Sequence, residues 1–316
     1  MIGMVMQKFI KRIVDIHNQS IAEHIDTADY QIFHYTSPMG LNGIISNHSI
    51  RFTDRNYLND YTEGRYVMRL CLHSRCASRL PKEYRKFFRD KCEKVYNNPN
   101  IRKCLVYQCS FSLSGDNLAL WNYYTKGEGI KGYNLCFSAQ ELTATLNADN
   151  TSTHSKNLIK RGKVIYSVKK QKEIINKIVL QFANAITEEA ADVACAQLAV
   201  ELLVEKLLQV GTFFKDPCFK HEEEYRLVVR PFAEWKSATN EIYFRNLGKT
   251  AATYEKNGLL IPYVDINFSK EALKQITASP TLNFIEVEAN LKNALQIYGY
   301  DKNSVTLCPS SIPVRY

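Results

Sequence analysis

Prediction of the fold begins from the run Glu224-Tyr225-Arg226-Leu227-Val228-Val229. This run combines β-forming side chains with charged residues at alternate positions. Successive side chains of a strand point to opposite faces, so Glu224 and Arg226 share one face, opposite Tyr225 and Leu227. A carboxylate beside a guanidinium is costly to bury without a partner or a purpose. On a solvated face the same pair is a common surface arrangement. The run therefore predicts a strand with a candidate site on its charged face.

Runs rich in β-branched and aromatic residues predict further strands on both sides of this one. They lie at residues 30–35, 50–53, 105–112, 132–138, 163–167, 241–244, 259–265, 276–278 and 305–307. Helical spacing of apolar residues appears at 9–25, 41–46, 63–96, 117–124, 170–210 and 284–298. Strands outnumber regular strand-helix-strand alternations, and the connections differ widely in length. The pattern predicts an α+β fold with a mixed, mostly antiparallel sheet core, packed helices and a helical hairpin insertion.

The organisation predicted from these elements is a leading helical segment at residues 1–28 and a single α+β domain at 29–316. The alanine- and leucine-rich hairpin forms an insertion at about residues 170–212. The chain contains neither G-x-G-x-x-G nor G-x-x-x-x-G-K, so the usual dinucleotide and triphosphate loops are not expected.

Composition indicates a globular, cytoplasmic protein, with 45% hydrophobic and 23% charged residues among 316. Nine cysteines are an odd number, and they include no C-x-x-C pair, which favours a reduced compartment and no metal site. Apolar residues near the amino terminus are interrupted too often for a signal peptide, and no later window is long enough to span a membrane.

The net charge of +9 is concentrated in two clusters. One contains Arg79, Lys82, Arg85, Lys86, Arg89, Lys91 and Lys94, and the other contains Lys156, Lys160, Arg161, Lys163, Lys169, Lys170 and Lys172. Such clusters attract polyanions, and they are also found as ordinary solvated faces of basic proteins.

Hydrogen-bonding side chains gather at His34-Tyr35-Thr36, which ends a predicted strand just before a Ser-Pro turn. A histidine at such a position is also used simply to satisfy a buried carbonyl. The loop at residues 53–60 carries Asn59 and Asp60, which are ligand candidates and equally ordinary helix caps. Downstream of Ser110-Phe111-Ser112, Trp121 is an anchor for the core or a stacking surface, and Tyr124 is a candidate ligand contact.

Six blocks in order resemble a bacterial family of unknown function: H-Y-T-S, T-D-x-x-x-L-N-D-x-x-E-G, F-S-x-x-x-D with L-W-x-Y-Y, E-x-E-Y-R-L, I-P-Y and S-x-I-P-x-R. They extend from Phe33 to Arg315. Within that family, the H-Y-T and E-Y-R-L strands are remotely similar to the histidine and glutamate strands of the ADP-ribosyltransferase superfamily.

That resemblance implies a role for each matching residue. NAD would be the substrate, with His34 at a ribose, Tyr57 or Tyr124 stacked on nicotinamide, and Glu224 supporting transfer. Arginines can pair with the pyrophosphate in bidentate fashion, and Arg51, Arg55 and Arg226 are the candidates. The remaining residues of the expected NAD-binding set are Tyr35, Thr36, Asn59, Asp60 and Trp121.

Three functions stay open on this evidence. The first is an ADP-ribosyltransferase or NAD glycohydrolase, in the manner of a toxin or antiphage effector, acting on a nucleic-acid or protein acceptor and restrained by an inhibitory or sensor partner. The second is a non-catalytic module that binds a nucleotide or nucleic acid in the same cleft. The third is a structural or partner-binding protein whose motif blocks are fold determinants.

Overall fold

The computed structural model describes residues 2–58, 60, 62, 64–98, 105–125, 130–148, 158–190, 192–236, 241–301 and 303–314. The α-helices are α1 Ile2–Asn18, α2 Pro38–Asn47, α3 Tyr66–Leu72, α4 Arg85–Asn97, α5 Leu118–Tyr124, α6 Ala139–Ala148, α7 Val168–Glu189, α8 Val193–Gly211 and α9 Phe284–Ile297. The strands are β1 Gln31–Thr36, β2 Ser49–Asp54, β3 Tyr107–Ser112, β4 Tyr133–Ser138, β5 Lys160–Lys163, β6 Glu224–Val229, β7 Ala233–Lys236, β8 Glu241–Phe244, β9 Lys249–Thr250, β10 Ala252–Lys256, β11 Leu259–Asn267, β12 Leu273–Ala278 and β13 Thr306–Pro309.

These elements confirm the predicted α+β class. The main sheet has the strand order β10-β11-β2-β3-β1-β4-β12-β13, with β6 paired to β3 and to β5. The ladders that connect β10, β11, β2, β3, β1, β4 and β12 and the ladder between β3 and β6 are antiparallel, whereas β12 and β13 are parallel, so the sheet is mixed and mostly antiparallel. A second, smaller sheet has the order β7-β8-β9.

The described residues group into two compact units. A helical unit comprises Met1–Asp26, Leu58–Cys104 and Lys163–Phe219, and a sheet unit comprises Thr27–Tyr57, Leu105–Gly162 and Lys220–Tyr316. The hairpin predicted at 170–212 is formed by α7 and α8 of the helical unit. The predicted division at residue 28 stays a prediction beside this grouping.

The helical unit is held by caps and close helix packing. Ser167 caps α7 by accepting from the Lys170 N–H, and Asp192 caps α8 by accepting from the Cys195 N–H. A Cβ atom at Gly211 would lie 2.5 Å from the Val67 Cβ, so only glycine allows α3 and α8 to approach this closely.

Of the helices in the described part of the chain, none is long and apolar enough to cross a membrane.

In the sheet unit, β3 pairs with three strands, namely β1, β2 and β6. All six of its residues pair with β6. Its other edge is shared, because Gln108 pairs with Thr53 of β2 and Ser112 pairs with Phe33 of β1. The two neighbours β1 and β2 therefore diverge along one edge of β3 and form a fork.

The two faces of this part of the sheet differ in character. Phe111, Tyr225 and Leu227 belong to the large hydrophobic core of the sheet unit. Residues paired directly across a ladder share a face. The alternate positions define the opposite face, which we call the polar face. It carries Arg51, Thr53, Gln108, Ser110, Ser112, Glu224 and Arg226, together with the apolar residues Val228 and Phe33.

Candidate functional site

The polar face is centred on a buried ion pair within β6. The Arg226 Nε lies 2.7 Å from Glu224 Oε1, and Arg226 Nη2 lies 2.8 Å from Glu224 Oε2. The Arg226 side chain is fully buried and that of Glu224 is 4% exposed. Two charges removed from water at this depth are tolerated only with such bidentate geometry. In the structure, Glu224 and Arg226 therefore form a buried ion pair, which is the energetically costly alternative, rather than a surface pair.

The neighbouring strand adds a third hydrogen bond to the carboxylate. Ser110 Oγ donates to Glu224 Oε1 at 2.5 Å, because Ser110 is paired with Arg226 in the β3–β6 ladder. Ser112 Oγ donates to the Glu222 carbonyl and holds the chain where it enters β6. The Glu224 carboxylate is therefore fixed in orientation by groups on two strands.

Gln108 completes the polar face with an amide that lacks a partner. The residue is 2% exposed, and neither its Oε1 nor its Nε2 has a hydrogen-bond partner among the described residues. A buried amide without partners costs about 1–3 kcal/mol, so such groups are uncommon in folded proteins. An unsatisfied donor and acceptor on the face that carries Glu224 indicate a place where a polar ligand can be held.

The backbone just before Glu224 is strained. Glu223 has φ of 45°, a left-handed conformation that side chains other than glycine, asparagine and aspartate seldom adopt. The Glu223 carbonyl accepts from the Leu113 N–H, which fixes this conformation. Strain of this kind is concentrated at functional sites, where it positions a neighbouring side chain.

His34 is connected to the same network from the other face. The Phe33–Ser112 pairing places Phe33 on the polar face, so His34 leaves β1 on the opposite side. Its ring centroid accordingly lies 5.4 Å from that of Phe111, a core residue. The His34 Nδ1 lies 3.1 Å from the Ser110 carbonyl at the fork. A carbonyl only accepts, so Nδ1 carries the hydrogen.

These contacts give His34 the structural role that the sequence left open, namely satisfying a buried carbonyl. Burial lowers the pKa of the His34 imidazole, and the hydrogen bond to the Ser110 carbonyl opposes that effect in part. Register places the His34 and Glu224 side chains on opposite faces of the sheet, joined through Ser110, rather than on one face. The catalytic roles predicted for both residues stay predictions.

Tyr35 and Trp121 form a small core on the polar-face side. Their rings meet edge to face at 4.8 Å, and Trp121 is fully buried. The Tyr35 hydroxyl donates to the Ser114 carbonyl and accepts from the Asn117 N–H. Burial raises the pKa of Tyr35. The structure gives both residues packing roles and leaves no exposed indole face on which a ligand can stack.

Asp116 links this core to the end of the chain. Its carboxylate accepts from Trp121 Nε1 at 2.8 Å, from Ser310 Oγ at 2.7 Å, and from the backbone and side chain of Ser311 at 2.7 and 2.8 Å. Burial acts to raise the pKa of Asp116, but these hydrogen bonds outweigh it and lower the pKa. The F-S-x-x-x-D, L-W and S-x-I-P blocks are therefore connected as fold determinants.

The other predicted contacts are more dispersed. Arg51 lies on the polar face, where it is paired with Asp265 at 3.2 Å and lies over the Tyr263 ring at 3.7 Å. Thr36 lies on the face of His34, and its Oγ1 occupies the space beside Gly40. Tyr57 and Tyr124 are 40% and 38% exposed.

The loop between β2 and α3 contains a local turn at Asp60. Asp60 Oδ1 accepts from the Thr62 N–H at 2.8 Å and from Thr62 Oγ1 at 2.7 Å, so Asp60 is a local turn former. Asp60 belongs to the helical unit, whereas Glu224 belongs to the sheet unit. The predicted site residue Asn59 lies outside the described residues.

Sequence reasoning assigned no role to Gln108, and it placed Ser110 only in a general cluster. The available signal was alternation, because Gln108, Ser110 and Ser112 are every second residue of one strand.

No group of three or more His, Cys, Asp or Glu side chains in the described ranges is arranged to hold a metal ion.

Comparison with known proteins identifies one family. Residues 120–227, about a third of the chain, match the family model described as "Protein of unknown function (DUF2971)". The matched segment includes Trp121, Tyr124, Glu224 and Arg226, and it excludes His34. No curated protein and no solved structure matches the chain. The similarity thus supports a domain of unknown function and carries no information about an activity.

Proposed function

We propose that the sheet unit binds NAD on its polar face and cleaves the bond between nicotinamide and ribose, as an ADP-ribosyltransferase or NAD glycohydrolase. The observation that carries the proposal is the buried Glu224 carboxylate, fixed by Arg226 and Ser110, on the face of the sheet that also holds the Gln108 amide, which has no partner among the described residues. The ADP-ribosyltransferase-like character of the fold is part of the same proposal.

The chemistry requires a fixed negative charge. When the glycosidic bond breaks, nicotinamide leaves with the bonding electrons and positive charge develops on the ribose ring. A preorganised carboxylate stabilises that charge, as in glycoside hydrolysis. A water or acceptor nucleophile then bonds to the same carbon and gives up its proton. The Glu224 carboxylate is the group proposed for the first task and for accepting that proton.

Other residues of the polar face fit the substrate by their chemistry. The Gln108 amide offers one donor side and one acceptor side, which complement a carboxamide or a ribose hydroxyl. His34 enters as a positioning residue, since it holds the Ser110 strand segment whose hydroxyl orients Glu224. Nucleic acid and protein are both acceptors to be tested, and an inhibitory or sensor partner remains part of the proposal.

A second candidate has its own supporting observation. Arg226 contacts both carboxylate oxygens of Glu224, which offsets the negative charge that catalysis needs. A neutralised carboxylate is compatible with a non-catalytic module that binds a nucleotide on the same face, as well as with an enzyme. Calorimetry with NAD would then show binding, with no nicotinamide released over hours.

Nicotinamide release tests the catalytic proposal. The purified full chain is incubated with NAD, alone and with DNA, RNA or protein acceptors, and free nicotinamide is quantified by chromatography. We expect release by the wild type, and at least a hundredfold less by Glu224→Gln, since a single transition-state electrostatic contact is typically worth about 10²–10³ in rate.

Two further variants separate chemistry from folding. Glu223→Gln changes the adjacent, exposed carboxylate and should keep wild-type turnover. Ser110→Ala keeps the ion pair and removes one orienting hydrogen bond, worth about 1 kcal/mol of stability, so it should fold and turn over more slowly. Absence of release under every condition, or equal release by the Glu224 and Glu223 variants, would refute the catalytic proposal.

A further inference from the structure

A basic groove lies within the helical unit, between the segment that follows α3 and the first turns of α7. Three cations line it: Arg75, Arg79 and Lys172. The remaining lining is polar and consists of His73, Ser74, Ser78 and Asn176. Among the residues that the structure describes, neither a carboxylate nor an apolar side chain lines this groove.

The groove unites the two charge clusters of the sequence. Arg79 comes from the first cluster and Lys172 from the second, 93 positions later in the chain. Asn176, one turn beyond Lys172 on α7, accepts from Arg79 Nε at 2.9 Å. This bond holds the Arg79 guanidinium through its Nε. Positive charges that are far apart in the sequence therefore lie in one groove of the folded chain.

The charge in the groove is not neutralised within the described parts of the chain. None of Arg75, Arg79 and Lys172 forms an ion pair there. Lys172 and its neighbours Lys169 and Lys170 also lie at the amino end of α7, whose first turn has no acidic residue. Of these, Lys169 and Lys170 lie in the first turn, where a cation opposes the helix dipole. An anionic ligand in the groove would neutralise the charge of Arg75, Arg79 and Lys172.

The two groove serines are already committed to the local backbone. Ser74 Oγ donates to the Cys71 carbonyl and accepts from the Cys76 N–H, and Ser78 Oγ donates to the Arg75 carbonyl. They fix the short 3-10 helix Cys76–Arg79 and so hold the two arginines in place. Ligand binding in the groove therefore depends on the cations.

We propose that this groove binds the phosphodiester backbone of a nucleic acid. Guanidinium groups pair with phosphate oxygens in bidentate fashion. The lining favours nucleic acid over an acidic protein, because protein interfaces have an apolar core whereas nucleic-acid interfaces are polar and strongly positive. The described lining has no aromatic ring apart from the imidazole of His73, so stacked bases are not expected and recognition is independent of base sequence.

Fluorescence anisotropy with labelled duplex DNA of mixed sequence tests the proposal on the full chain. Each neutralised phosphate contributes about −0.9 to the slope of log affinity against log salt concentration. Three groove contacts therefore contribute about 2.7 units to the slope of the wild type. Two unrelated duplex sequences should bind with equal affinity.

The test variant is Arg75→Gln/Arg79→Gln/Lys172→Gln, which removes three charges and keeps polar side chains. Its matched control is Lys131→Gln/Lys236→Gln/Lys256→Gln, which removes the same charge from exposed positions of the sheet unit. We expect the groove variant to bind DNA at least about tenfold more weakly and to lose about 2.7 units of salt slope, while the control keeps both.

Three outcomes would overturn the proposal: no DNA binding by the wild type, equal loss in both triple variants, or poly-glutamate binding as tightly as DNA with the same groove dependence. The last result would assign the groove to an acidic protein. The inference is independent of NAD cleavage, because DNA binding is measured without NAD and the groove residues belong to the helical unit, whereas Glu224 belongs to the sheet unit.

Discussion

Replacing Glu224 by glutamine should destabilise the sheet unit severely, because it removes the carboxylate that contacts the buried Arg226 guanidinium through two hydrogen bonds. The pair is made by two hydrogen bonds of 2.7 and 2.8 Å, and the Arg226 side chain is fully buried. Breaking such a pair from one side costs about 3–5 kcal/mol. Arg226→Met should cost a similar amount, because it removes the guanidinium that contacts both oxygens of the buried Glu224 carboxylate.

The double variant distinguishes a buried pair from a general packing defect. The double variant Glu224→Gln/Arg226→Met combines the same two single changes and removes both charges, so neither charge is left buried without the other. We therefore expect the double variant to be more stable than either single variant. The coupling energy, which is the difference between the double change and the sum of the single changes, should be several kcal/mol.

Urea unfolding, followed by circular dichroism, measures these free energies of unfolding. An equal dependence of the free energy on urea concentration in all variants shows that the denatured state is unchanged. Glu288→Ala, which breaks the exposed pair between Glu288 and Lys292, is the matched control and should cost under about 1 kcal/mol. A loss of less than about 1 kcal/mol in Glu224→Gln, or additive single effects, would refute this description of the pair.

Three further predictions concern positions around the site. Asp116→Ala should cost at least about 1–3 kcal/mol in urea unfolding, since it leaves the Trp121 N–H buried and unpaired. Because the folded pKa of Asp116 is lowered, its contribution is present above pH 3.8 and is lost as the pH falls through the folded pKa, so an undiminished difference in stronger acid would contradict the assignment. His34→Gln should flatten the loss of stability below pH 6.5, because the lowered pKa of the buried imidazole makes the unfolded chain bind the proton first, and identical pH profiles would refute this. Gly211→Ala should cost about 1–3 kcal/mol by forcing a Cβ against Val67, and Val67→Ala in the same chain should recover part of it if the clash is the cause.

Several elements were predictable because their sequences carry one dominant signal. The strand predicted at 224–229 is β6, and the helices predicted at 117–124 and 284–298 are α5 and α9 within one residue. The hairpin at 170–210 was indicated by a long apolar pattern rich in alanine and leucine. Helices and strands with a buried face carry their period in the sequence.

Elements without a buried face were missed or displaced. All four residues of β7 are exposed, and β10 is mostly exposed, so neither strand shows an alternation that marks a face. The strand predicted at 163–167 was wrong in position, since β5 runs from Lys160 to Lys163. The leading helix predicted at 9–25 is α1, Ile2–Asn18, and Ser20 then starts a separate 3-10 helix by accepting from the Ala22 N–H.

The candidate site was predictable residue by residue but not as an arrangement. Alternation assigned Glu224 and Arg226 to one face of β6, and it assigned His34 and Tyr35 to opposite faces of β1. The relation between the two strands depends on register, where a shift of one residue exchanges the faces. The pairing of Phe33 with Ser112 sets that register, and no local sequence feature specifies it.

The Gln108 amide gives the most direct measurement of the central claim, that the polar face of β3 and β6 holds a ligand. Gln108→Leu removes a buried donor and acceptor that lack partners among the described residues, so it should leave stability unchanged or raise it by up to about 1–3 kcal/mol. The same variant should bind NAD at least tenfold more weakly than the wild type in calorimetry. We expect a stable variant with lost NAD affinity, whereas a destabilised variant, or one that binds NAD as the wild type does, would show that the Gln108 amide does not hold a ligand.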